Sequence, residues 1–148
     1  MNPTHLAVAA TLAGGALLAL QAPTNAALAR SVGSPVNAAL VSFAVGTVGL
    51  LLAAALLGAR PDMAGVRASP WWAWVGGLYG AVLVAATAYA APRLGVAATL
   101  TLVVAGQFVM AVALDHYGAL GLAPRPLTLS KLAGLALIGA GVLLVRRP

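Results

Sequence analysis

Long apolar runs alternate along this chain with short polar breaks. The runs are too long and too continuous to read as the alternating segments of a β-barrel. They predict an all-α integral membrane protein with five transmembrane helices, at residues 6–28, 36–57, 71–91, 94–114 and 127–145. Each run is near the roughly 20 apolar residues that a helix needs to cross a bilayer. Turn chemistry marks the breaks. Arg30, Gly33, Ser34 and Pro35 separate the first two spans, Gly58, Arg60 and Pro61 close the second, and Pro92 and Arg93 close the third. Asp62 to Ser69 and Asp115 to Pro126 read as connectors. The third and fourth runs almost touch, which predicts an antiparallel hairpin.

One stretch breaks the apolar pattern from within a span: GGALLALQAPTNAALAR, Gly14 to Arg30. Gln21 and Asn25 are four apart and so share one helix face. Pro23, between them, has no N–H and deprives the Ala19 carbonyl of its helical donor. In hydrocarbon such groups need partners in protein or in a wet cavity, so this stretch is expected to line a binding site for a small solute. Gln107, three residues past the centre of the fourth run, is a further candidate, either as cavity lining or as helix-to-helix glue. Asn37 and Ser42 are weaker candidates, and Tyr79 and Tyr89 weaker again. Small residues recur at contact spacing in Ser42, Gly46 and Gly49, in Gly76 and Gly80, and in Gly134 and Gly141, which predicts close helix packing.

Composition sharpens the class. Of 148 residues, 62% are hydrophobic and only 7% charged, far below the roughly 25% of soluble domains. The length leaves no room for a sizeable extramembrane domain beside five spans. The net charge of +6 is carried by Lys and Arg placed singly or in pairs at the ends of apolar runs. That pattern fits headgroup anchoring to membrane lipids, and without a basic stripe no nucleic-acid partner is expected. Trp71, Trp72 and Trp74 at the start of the third span read as an interfacial belt. There is no cysteine, hence no disulfide, thiolate metal site or Cys nucleophile. No basic stretch precedes the first apolar run, so a cleaved signal is not expected.

The chain has two acids, Asp62 and Asp115. Asp62 reads as a solvated connector residue. Asp115 has His116 beside it, but adjacent helical residues point about 100° apart, which suits neither a metal pair nor a catalytic dyad. Asp115 is expected instead at the mouth of a pathway, with Arg93 or an arginine of a second copy near it. No enzyme activity, metal or cofactor is expected.

With five spans, Arg60, Arg67, Arg125 and Lys131 fall on one side of the membrane and Arg30, Arg93, Arg146 and Arg147 on the other. The Lys/Arg excess that orients a membrane protein is therefore nil. A chain that inserts both ways can pair with an inverted copy of itself, giving ten helices about a two-fold axis in the membrane plane, as in transporters built from inverted repeats; the alternatives are a balance by chance or a separately encoded partner of opposite bias.

The pieces that carry a family resemblance are Gly14-Gly15 with Gln21 to Asn25, then GSPVNAALVSFAVGT (Gly33 to Thr47), WWAWVGGLYGA (Trp71 to Ala81), APRLGVAATLTLVVAGQ (Ala91 to Gln107) and LDHYG (Leu114 to Gly118). In this order and spacing the chain resembles the YdcZ family of small five-helix proteins in the drug/metabolite transporter superfamily. The resemblance implies a bacterial inner-membrane location, an antiparallel arrangement of two five-helix units, and a transport role without naming a substrate. The small multidrug-resistance branch of that superfamily carries a glutamate in its first span. This chain has no acid there, so a neutral or zwitterionic solute is expected rather than a hydrophobic cation exchanged for protons. The competing expectation is a non-transporting scaffold or lipid-binding protein with the same fold and no water-accessible cavity.

Overall fold

A computed structural model describes residues 2–145. Arg146, Arg147 and Pro148, half of the charges assigned above to one side of the membrane among them, lie outside the described residues. Helices α1 (Pro3–Val32), α2 (Pro35–Leu57), α3 (Met63–Ala68), α4 (Gly76–Leu94), α5 (Val96–Tyr117) and α6 (Leu129–Val145) follow in order, and a 3₁₀ turn at Trp71–Val75 leads into α4. Four stretches, 3–32, 35–57, 71–94 and 96–117, are long and apolar enough to cross a membrane. Helix α6 has 17 residues, about 26 Å at 1.5 Å per residue, just below that length.

Local chemistry sets the helix ends. The Asn2 side chain accepts from the Thr4 N–H at 3.0 Å, and Pro3 occupies the first turn, where its missing N–H does no harm. Gly33 then takes φ 86°, and Ser34 accepts from the Asn37 N–H at 3.0 Å to start α2. This two-residue turn makes α1 and α2 an antiparallel hairpin. At the far end Gly58 is left-handed, and the Ala59 N–H closes on the Ala54 carbonyl at 2.9 Å.

Several expected boundaries move. Helix α1 continues through Pro23 and past residue 28 to Val32, without a break at the proline. Beside the gap the Thr24 hydroxyl donates to the Leu20 carbonyl at 2.8 Å, one residue on from the Ala19 carbonyl that Pro23 leaves without its helical donor. Pro92 likewise sits inside α4, which ends at Leu94; Gly95, at φ 81°, makes the break. Helix α5 therefore starts at Val96 and overruns residue 114 to Tyr117, and α6 starts at Leu129 rather than residue 127. The connector after Pro61 holds the short helix α3, nucleated by Asp62, whose carboxylate accepts from the Ala64 N–H at 3.0 Å.

The chain divides into two compact units, residues 1–92 and 93–148. In the first, the α1–α2 hairpin buries Ala22, Asn25, Ala26, Ala38 and Ala39. Phe43 of α2 lies over Gly80 of α4, where a Cβ would come within 3.1 Å of the ring. In the second unit, Phe108 of α5 covers Gly134 of α6 at 3.6 Å from the same hypothetical Cβ. These two glycines of the small-residue ridges thus accept an aromatic ring, whereas Gly46, Gly49, Gly76 and Gly141 meet no neighbour within 4 Å.

Candidate functional site

The hairpin register brings Gln21 of α1 opposite α2. Gln21, Ser42, Phe43, Gly46, Thr47 and Leu50 line a groove of about 190 Å³. Gly46 has no side chain to fill it, so the Ser42–Gly46 ridge, expected as a helix contact, opens here into space. Gln21 and Ser42 are half-buried. Among the described residues the Gln21 carboxamide has no hydrogen-bond partner, so its donors and acceptor are open to a solute. Thr47 is the lining residue that the sequence reading missed. Its hydroxyl donates to the Phe43 carbonyl at 2.8 Å and keeps acceptor capacity. The periodic set Ser42, Gly46 and Leu50, four apart on one face, was the available signal for the lining on that side.

One turn beyond Gln21, Asn25 is only 2% exposed, and its Nδ2 has no hydrogen-bond partner. Buried polar groups are ordinarily paired, and each that is not calls for a cause. Of the sequence candidates, Asn25 is the one whose environment is most unusual.

The other candidates are placed elsewhere. Asn37 is exposed, and its Nδ2 donates to the Val32 carbonyl at 2.8 Å, so its amide is engaged in capping α1. Tyr79 and Tyr89 are exposed on α4. Gln107 is exposed on α5. Asp115 lies within the last turn of α5, and its carboxylate pairs with Lys131 of α6 at 3.1 Å, a cation that the sequence does not single out. The backbone carbonyl of Asp115 also accepts from the Arg125 N–H at 2.7 Å, so the connector folds back onto the end of α5. The pair is partly exposed, 27% for Lys131 and 37% for Asp115. Solvent screening limits such pairs to about 0.2–1 kcal/mol. A double-mutant cycle with Asp115→Asn and Lys131→Gln, read by thermal unfolding in detergent, is expected to give a coupling in that range that shrinks with added salt. His116 stacks edge-on against Tyr117, with ring centroids 5.0 Å apart. Among the described residues no three His, Asp or Glu side chains group as a metal site.

A second groove, about 530 Å³, separates α2 from α4 and is lined by apolar residues including Val36, Leu40, Phe43, Gly77, Ala81 and Ala85. It offers shape but no hydrogen bonds.

Both helices of the α1–α2 hairpin are long and apolar enough to cross a membrane. The family model described as "Putative inner membrane exporter, YdcZ" matches residues 6–144. The chain belongs to the YdcZ family. No curated protein and no solved structure matches it. As a YdcZ protein it is a multi-pass inner-membrane protein of a transporter family. The match runs through all four long spans and nearly the whole of α6, so both units belong to the YdcZ domain.

Proposed function

We propose that this YdcZ protein carries a small polar or zwitterionic solute across the inner membrane by alternating access between two inverted copies, each contributing five spans. What most supports the reading is the α1–α2 face that holds Gln21 in a groove and, one turn on, the buried and unpartnered Asn25 amide. The groove is small: about 190 Å³ equals the liquid volume of about six waters, below the roughly 300–1,000 Å³ of pockets for drug-sized ligands. Hydrogen-bonding amides and hydroxyls, with no acid on α1 or α2, suit a compact neutral or zwitterionic solute. Balanced Lys and Arg support dual insertion, and inverted symmetry would set two such faces across one chamber. No cofactor is required.

Purified protein in liposomes, screened against labelled small polar metabolites, tests the reading; failure to move any of them would overturn it. With a substrate in hand, Gln21→Ala is expected to slow uptake about two- to tenfold, the worth of one neutral hydrogen bond, with expression and thermal midpoint unchanged. The apolar groove between α2 and α4 favours a second reading, a lipid-binding protein that transports nothing. A cysteine at position 21 discriminates the two, because it reacts with water-soluble thiol reagents only if the α1–α2 groove is wet.

A further inference from the structure

Gln107 is the twelfth residue of α5: eleven precede it in Val96–Tyr117 and ten follow. A helix of 22 residues spans about 33 Å, close to the roughly 30 Å of a hydrocarbon core, which puts Gln107 at mid-depth. There its side chain is exposed and, among the described residues, without a hydrogen-bond partner. Its neighbours on the same face are apolar, with Val104 51% and Met110 58% exposed. The headgroups lie about 15 Å away on either side, beyond the reach of a glutamine side chain, so the carboxamide cannot snorkel. A wet lumen would be lined by several polar groups, whereas this face carries one. A lone carboxamide in an apolar stripe is satisfied most simply by another carboxamide, since each offers N–H donors and a carbonyl acceptor.

We infer that α5 packs against α5 of a second, inverted copy, with the two Gln107 carboxamides hydrogen-bonded to each other on the two-fold axis. This rests on the antiparallel pairing proposed above and names the helix at its centre. Depth selects the residue: an axis in the membrane plane runs through the midplane, so only a residue at mid-depth meets its own copy. Val104 then lies against the partner's Met110 and Met110 against the partner's Val104. Ala111, four residues on from Gln107 and exposed on the same face of α5, leaves room for close approach.

The full chain in native membranes is the test, and the absence of cysteine makes introduced ones the only thiols. Differently tagged V104C and M110C chains are co-expressed and oxidised, while C-terminal reporters on both record orientation. The expected result is a mixed 104–110 disulfide well in excess of either like pair. In an inverted pair centred on Gln107 the like positions are offset by about 9 Å along the helices, past the roughly 4.4–6.8 Å between the Cα atoms of a disulfide. Gln107→Leu should weaken dimerisation about three- to twentyfold, the span of measured interhelical hydrogen bonds in membranes. Like-pair disulfides would mean a parallel pair and overturn both this assignment and the inverted dimer. No disulfide, with reporters on both sides and tagged copies still co-purifying, would overturn the α5 axis and leave the inverted dimer standing. No disulfide and reporters on one side only would overturn both.

Discussion

Replacing Asn25 by alanine is expected to slow transport at least about tenfold while leaving the folded chain as stable as before, or more so. Most buried polar side chains behave oppositely, because removing them orphans a partner. Here the orphan is Asn25 itself, 2% exposed and with no acceptor for its Nδ2. An unmade hydrogen bond of this kind costs about 1–3 kcal/mol, and alanine removes that cost with a small cavity in exchange. The thermal midpoint in detergent should therefore hold or rise. Uptake should fall at least about tenfold, equivalent to roughly 1.4 kcal/mol of lost solute binding at the barrier. Asn37→Ala is the internal contrast, since its Nδ2 holds the Val32 carbonyl at 2.8 Å. Loss of that cap should lower stability by about 1 kcal/mol and leave transport per folded molecule unchanged. An Asn25→Ala protein that unfolds early but still transports would show that Asn25 serves packing and not solute.

The opposite signs expected for two asparagines indicate what the sequence makes legible and what it does not. Both read as polar residues near a helix end or within a span, and both were candidates for the lining. Their surroundings differ: the Asn37 amide reaches across the turn to the Val32 carbonyl, whereas Asn25 is buried with its Nδ2 unpartnered. Elements whose causes are local were readable. Lipid demands long apolar helices, and Gly33, Ser34 with Pro35, and Gly58 end or start them through their own backbone chemistry. Proline is an unreliable stop signal here: Pro92 looks like the end of the third span yet sits inside α4, as Pro23 sits inside the first span and inside α1. Asp62 is exposed, as a solvated connector residue should be, and its carboxylate also caps α3, a role that its place before Met63–Ala68 does not announce.

Pairings across the chain were harder to see. Asp115 and Lys131 meet at 3.1 Å although 16 residues apart, because the connector returns α6 along α5, and no periodicity announces that. Gln21 and Ser42 share a groove because the Gly33–Ser34 turn sets the register of the hairpin, a consequence available in principle from the turn alone. The later start of α5 at Val96 and its overrun to Tyr117 together move Gln107 from three residues past the centre of a span to its midpoint. That displacement of a few ångströms favours, of cavity lining and helix-to-helix glue, the second, with its own copy as the proposed partner.

The connector between α5 and α6 is the other place where one substitution should have a large effect. Gly118 ends α5 at φ 60°, ψ 32°, with its N–H on the Leu114 carbonyl. Any L-residue there bears the left-handed penalty, about 1–2 kcal/mol. Space is also lacking: a Cβ would lie 2.6 Å from Pro124 Cγ and 2.9 Å from the Leu122 carbonyl oxygen. One obstacle is backbone and the other a rigid ring, so neither yields without moving the connector. Gly58 is the matched control, left-handed at φ 63° with nothing within 4 Å. Gly58→Ala should thus cost about 1 kcal/mol, and Gly118→Ala about 2–4 kcal/mol, the excess being the cost of overpacking. Thermal unfolding of the two variants side by side measures the difference. Because the Arg125 N–H bond to Asp115 and the Lys131–Asp115 pair depend on the connector's path, the coupling between Asp115 and Lys131 should also vanish in Gly118→Ala and persist in Gly58→Ala. Equal losses in the two variants, with the coupling intact in both, would mean that the connector is free to move aside and does not hold α6 to α5.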